Sequence, residues 1–262
     1  TYPARDLGVH SGMGLMKAAA LAPQAVLLPV DHDEYKRYSR RFKAAVAEVA
    51  PLIEDRGIDE IFVDLSDVPG AQDSVGHDPQ GGVRAVAIEI KNNVRRSTGL
   101  SCSIGITPNK LLAKIASELD KPDGLTLLLP DDLPRHIWPL PVRRINGIGP
   151  KAGAKLKTLG ILTIGQLAAC EPAWLVEQFG RSYGHWLHDA ANGVDDRPVN
   201  TARESTGEIP DAAVVIDAVL EAGRGLDLVG LYAGGPIHEG FANSLGHRHR
   251  HPAHHFNFER CL

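Results

Sequence analysis

The six residues "EIFVDL" (60–65) constrain this chain most. In a strand neighbouring side chains point to opposite faces, so Ile61 and Val63 continue the face of Asp59, and Phe62 and Asp64 that of Glu60. Both faces carry apolar residues, which predicts a strand covered on both sides. Two acids, Asp59 and Glu60, stand at its mouth. Adjacent carboxylates repel, and burying either costs roughly several kcal/mol unless a cation pairs with it. Two readings follow: a solvated turn, or a divalent metal site. Gly57 permits a bend that turns both acids toward one ion. Mg²⁺ suits such a rim, because it takes oxygen ligands from one or two carboxylates together with substrate phosphates. Two such ions position the attacking and leaving oxygens in phosphoryl transfer.

Around this strand the patterns alternate. "GLMKAAALAP" predicts a helix stopped by Pro23, and "AVLLPV" (25–30) a short strand. Residues 33–54 repeat aromatic and apolar positions at three- and four-residue steps, which predicts one long helix. A turn-rich loop (69–82), a helix (83–98), a strand (101–107), a helix (109–121) and a strand (124–129) follow. Residues 132–190 show only helical patterns and short turns, and 211–236 are read as a helix and a strand. The fold class is α+β or α/β, with a small all-helical unit after the sheet.

With 262 residues and 43% hydrophobic content the chain supports one large domain or two to three small ones. Three cysteines lie far apart, so no disulfide framework is expected and a reducing, cytoplasmic location is. No apolar run is long enough to cross a membrane. "TYPARDLGVHSG" has no leader character, and a start at Thr1 suggests a piece of a longer protein. Six histidines crowd the last 25 residues, read either as a metal tract or as a poorly folded tail.

The net charge of −4 hides a local imbalance. Residues 133–170 hold no Asp or Glu but do hold Arg135, Arg143, Arg144, Lys151, Lys155 and Lys157, which fits either phosphate contact or a solvated helix face. Within it, "INGIGPKAGAKLKTLG" sets Gly147 and Gly149 in a tight turn that opens a helix at Pro150. Helix-opening N–H groups attract anions, glycine lets backbone approach a phosphate, and Arg144, Lys151 and Lys155 add counter-charge. Such contacts would grip a duplex without reading bases. The alternative is a helical hairpin whose glycines serve only the turn. For a polyphosphate, Tyr2, Arg5, Lys110, Lys114 and Lys121 are candidate donors, each with a solvated surface role as the alternative.

The stretches "YPARDLGVHSGM", "GIDEIFVDLS", "SCSIGITPNKLLAKIASELDKPDG" and "LPVRRINGIGPKAGAKLKTLGILTIGQL" together resemble the Y-family DNA polymerases, the bacterial DNA polymerase IV group in particular. The resemblance runs in family order over about residues 1–204. It implies partial fingers (1–31), a palm with a ferredoxin-like sheet (32–128), a thumb with a helix-hairpin-helix element (129–195) and a divergent, disordered or poorly folded tail (196–262). Asp59 and Glu60 match the family's metal-binding and catalytic acids. Tyr2, Arg5 and Lys121 match the residues holding the triphosphate of the incoming dNTP. The implied reaction is lesion-bypass synthesis on template–primer DNA with two Mg²⁺. The family's first palm strand, which carries a further metal-binding Asp, is expected to be missing. The little finger and the sliding-clamp peptide are not recognised. Impaired activity is therefore expected, the alternative being an inactive fragment that only binds DNA through residues 141–167.

Overall fold

The computed structural model describes residues 2–201 together with the strands 215–221 and 231–233. Two short helices, α1 (Tyr2–Asp6) and α2 (Leu15–Leu21), close a small core of Ala4, Val9, Ala18 and Ala22. Strand β1 (Ala25–Leu27) leads into α3 (His32–Ala47), whose first turn is capped by the Asp31 carboxylate accepting from the Glu34 N–H. The helix expected over 33–54 ends early: Pro51 cannot continue it, and Ile53–Asp55 form strand β2. Strand β3 (Glu60–Asp64), helix α4 (Gly81–Thr98), strand β4 (Ser101–Thr107), helix α5 (Lys110–Ser117) and strand β5 (Leu125–Leu127) follow.

The helical unit holds α6 (Pro150–Thr158), α7 (Ile164–Ala168), α8 (Pro172–Phe179) and α9 (Arg181–Ala191). Two strands come from beyond residue 201: β6 (Val215–Glu221) and β7 (Leu231–Ala233). The latter pairs with β1. Where 211–236 were read as a helix and a strand, the described residues form two strands, 215–221 and 231–233. The histidine-rich end, 237–262, lies outside the described residues.

The main sheet has the order β2-β3-β6-β4-β5, with only the β4–β5 pair parallel. The expected gap for a missing palm strand is not vacant. β6 runs antiparallel to both β3 and β4, with Ala218 in register with Ile61 on one side and Ile104 on the other. Two open strand edges need partners for every N–H and C=O, and Val215, Ile216 and Val219 give β6 the β-branched character that such a slot favours.

Both faces of the sheet are covered, as the double apolar pattern predicts: Ile61, Phe62 and Val63 are all buried. Against one face, Ile61, Val63, Ile104 and Ile106 pack with Phe42 and Val46 of α3 and Val86, Ile90 and Val94 of α4. α5 seals the other. Phe62 meets its Ala113, and its outer side, Leu111, Leu112 and Ile115, joins Leu156, Ile164, Leu175 and Leu187 in the helical unit's core.

After α9 the chain returns as a strap. The Gly193 carbonyl accepts from Asn109 Nδ2 (2.7 Å), and Asp195 caps the Leu111 N–H (3.0 Å). The Asn200 N–H donates to Glu54 Oε2 (2.7 Å), which also receives Lys110 Nζ (2.8 Å). Glu54 and Lys110 are both buried, so Lys110, one of the candidate polyphosphate donors, is instead a structural counter-ion.

Burial alone would raise the Glu54 carboxyl, but the Asn200 N–H, Lys110 and Arg56 outweigh it and hold the group below its ordinary value of 4.5. Its contribution to stability is thus complete above pH 4.5 and is lost as pH falls through the lowered value in the fold. Urea unfolding of Glu54→Gln should show a loss of about 3 kcal/mol at pH 7, since one partner of a buried pair is left alone. The gap to the parent should narrow below pH 4.5. Ala218→Pro removes a ladder donor from a central strand, and should cost about 3 kcal/mol or more with faster amide exchange along β3 and β4.

Candidate functional site

Glu60 opens β3 on the face that α5 covers, the face of Phe62. On α5, Lys110 and Lys114 are four residues apart and present their ammonium groups to one side of the helix. The first goes to Glu54, and the second reaches Glu60 Oε1 at 2.7 Å. Lys114 also lies 3.2 Å from Glu118 Oε1, and the same oxygen takes Lys121 Nζ at 2.8 Å. Four charges of alternating sign, Glu60–Lys114–Glu118–Lys121, therefore run from the strand mouth to the turn after α5. Burial would raise the Glu118 carboxyl, yet the hydrogen bond and charge of Lys121, with those of Lys114, hold it low.

The turn carrying Lys121 is built, not loose. Asp123 is tied to Lys91 (2.7 Å) and to Arg95, and the Gly124 N–H donates to Ser103 Oγ (3.0 Å). A Cβ on Gly124 would sit 2.0 Å from the Asp120 carbonyl oxygen, so only glycine closes this turn. Asp59 is exposed beside half-buried Glu60.

Of the sequence-predicted site, the structure brings Glu60 and Lys121 into one row with Asp59 at its end. Tyr2 and Arg5 lie on α1, whose Ala4 belongs to the small core with Val9, Ala18 and Ala22. Glu118 escaped sequence reading. Its spacing to Lys114 (four) and Lys121 (three) was the available signal, but that spacing is common on solvated helices.

A second surface lies on the helical unit. Ile145 and Ile148 are buried anchors, while Arg144 before them, Gly149 after them and Lys151 in the first turn of α6 are exposed. No side chain caps the first N–H groups of α6. Gly149 has φ −72° and nothing within 4 Å of where a Cβ would stand, so its backbone faces open space.

Gly147 and Lys155, grouped with these by sequence, have structural partners. Gly147 has φ +113°, a Cβ there would lie 2.6 Å from Trp186 Cη2, and its carbonyl accepts from Tyr183 Oη (3.0 Å). Lys155 Nζ donates to the Gln178 carbonyl and lies 4.7 Å from the Phe179 ring centroid. Gly147→Ala should therefore lower stability by about 2–4 kcal/mol, through left-handed backbone strain and the Trp186 clash, as read by thermal unfolding. Gly149→Ala should leave the melting curve unchanged.

Among the described residues no group of three or more His, Cys, Asp or Glu could hold a metal ion, and no helix is long and apolar enough to cross a membrane. The impB/mucB/samB family model matches residues 1–118, and the IMS family HHH motif matches 130–161. Relatives named DNA polymerase IV include those of Methanoculleus marisnigri (42% identical, covering 81% of this chain and 58% of the relative) and Moorella thermoacetica (41%, covering 74% and 46%). That of Methanosarcina acetivorans is 34% identical, over 94% of this chain and 67% of the relative. The chain thus spans about half the length of the first two relatives. The crystal structure of DinB from Sulfolobus solfataricus aligns with a TM-score of 0.67 at 27% identity, over 77% of this chain and 57% of that one. A Dbh ternary complex gives 0.66 at 28%, over 77% and 58%. The order of the sheet unit and the hairpin unit, and these matches to both, mean that the chain belongs to the Y family of DNA polymerases, in the DNA polymerase IV group.

Proposed function

We propose that the chain takes part in template-directed lesion-bypass DNA synthesis, with fingers at 1–31, palm at 32–128 and thumb at 129–195. The observation that carries this reading is the charged row that links Glu60, with Asp59 beside it, to Lys121. Its two ends offer what a metal-bound nucleotide needs: carboxylate oxygens for a hard dication and an ammonium for phosphate. The relatives' name, DNA polymerase IV, supports the same reaction class. In it a primer 3′-hydroxyl attacks the α-phosphorus of a dNTP, and the bond to the β-phosphate breaks to release pyrophosphate. A cytoplasmic location fits this role.

The donor chemistry suits Mg²⁺: Asp59 and Glu60 offer hard carboxylate oxygens, one residue exposed and the other half-buried, and substrate phosphates would complete the shell. Asp59 and Glu60 would hold the ion, which when bound neutralises phosphate charge as a Lewis acid. The chain's own residues bind and orient. Lys121, fixed through Glu118 and the anchored turn at Asp123, meets the triphosphate, and Tyr2 and Arg5 of α1 are assigned to the same group. Arg144, Lys151 and the open N–H groups at Gly149 hold the DNA backbone.

No third carboxylate joins Asp59 and Glu60 among the described residues. Absence of one preorganised charge contact can lower a rate by roughly 10²–10³. Primer extension with Mg²⁺ and four dNTPs should therefore be slow, and Asp59→Ala should abolish it; extension untouched by Asp59→Ala would refute the assignment. The exposed hairpin favours a second reading, a module that only grips duplex DNA. There, affinity falls steeply with salt, Lys151→Ala reduces the salt slope by about one, and Gly149→Ala weakens binding with stability intact. DNA binding of that kind with no nucleotide addition would select the module.

A further inference from the structure

Two lysines of α5 pair with two acids of the sheet, and the two pairs differ in a way that assigns them different roles. Lys110 and Glu54 are 8% and 11% exposed at their side chains, and Glu54 is also fixed by the Asn200 N–H. That pair is locked. Lys114 and Glu60 are 21% and 27% exposed, open to ions from solvent. Lys114 moreover has a second acceptor, Glu118 Oε1 at 3.2 Å, so its ammonium can leave Glu60 without losing a counter-charge.

We infer that Lys114 is the resident counter-ion of Glu60, and that a metal ion binds there by displacing it toward Glu118. This rests on the reading of Asp59 and Glu60 as metal-holding acids. A dication and an ammonium on one carboxylate repel each other, so the metal must either work against Lys114 or move it. The chain thereby carries an internal competitor that keeps Glu60 neutralised when no metal is bound, so that the acid pair does not stand as two adjacent uncompensated charges. It also sets a threshold for metal entry. Because Glu118 takes Lys114 and Lys121 on the same oxygen, displacement of Lys114 crowds Lys121 and frees it for an anion. Lys114 is thus a positioning residue, acting through Glu60 and Glu118.

Mn²⁺ titration of the full chain, followed by electron paramagnetic resonance without DNA or nucleotide, tests this. Removing the competitor in Lys114→Met should tighten Mn²⁺ binding about tenfold, within the usual range of coupling between sites. Lys114→Arg, which keeps the charge, should bind like the parent, and Glu60→Gln should bind more weakly. A lysine whose charge does not compete with the metal at Glu60 would give no tightening. Should Lys114→Met fail to fold, Lys114→Gln keeps a donor for Glu118 without the charge and should show the same gain. If binding weakens in Glu60→Gln but does not tighten in either neutral variant, the counter-ion role is overturned and the metal reading stands. If Glu60→Gln leaves Mn²⁺ affinity unchanged, the metal reading falls and the counter-ion role with it.

Discussion

The close seat of α5 on β4 governs the rest of the structure. Gly105 makes it possible: a Cβ there would lie 2.4 Å from both the Ala113 carbonyl oxygen and the Ser117 N–H nitrogen. At that separation the helix sits on the sheet backbone, and its lysines reach the acids of β2 and β3. The opposite side of the same helix carries Leu111, Leu112 and Ile115 into the core of the helical unit. One eight-residue helix therefore aligns the charged row and joins the two halves of the molecule. The strap through Asp195 and Asn200 pins the start of that helix and the edge of the sheet at once.

Much of this was legible in the sequence because it is local. The double apolar pattern of 60–65 foretold a strand buried on both faces, and the acid-free run 133–170 foretold an exposed basic hairpin. What was not legible depends on partners far along the chain. Glu54 looks like a polar end to a helix until Lys110 and Asn200 are placed beside it, 56 and 146 residues away. Lys110 and Lys114 look alike at four-residue spacing, and only the sheet separates a locked counter-ion from a movable one. Gly147 and Gly149 look alike within one turn. Only the position of Trp186 shows that the first is required for packing and the second is open.

The two surfaces differ in electrostatic terms. The sheet mouth balances its charges internally, with acids and lysines alternating from Glu60 to Lys121. Residues 133–170 supply no acid to balance Arg144 and Lys151, so the hairpin keeps a local positive charge. An overall charge of −4 conceals both arrangements.

The centre of the sheet comes from far along the chain. β3 begins at Glu60 and its inner neighbour β6 ends at Glu221, so the ladder closes a loop of well over a hundred residues. During synthesis on the ribosome, β3 and β4 emerge long before the strand that separates them. The nascent chain must carry two open edges through the making of the whole helical unit, a period in which chaperones or premature pairing compete for them.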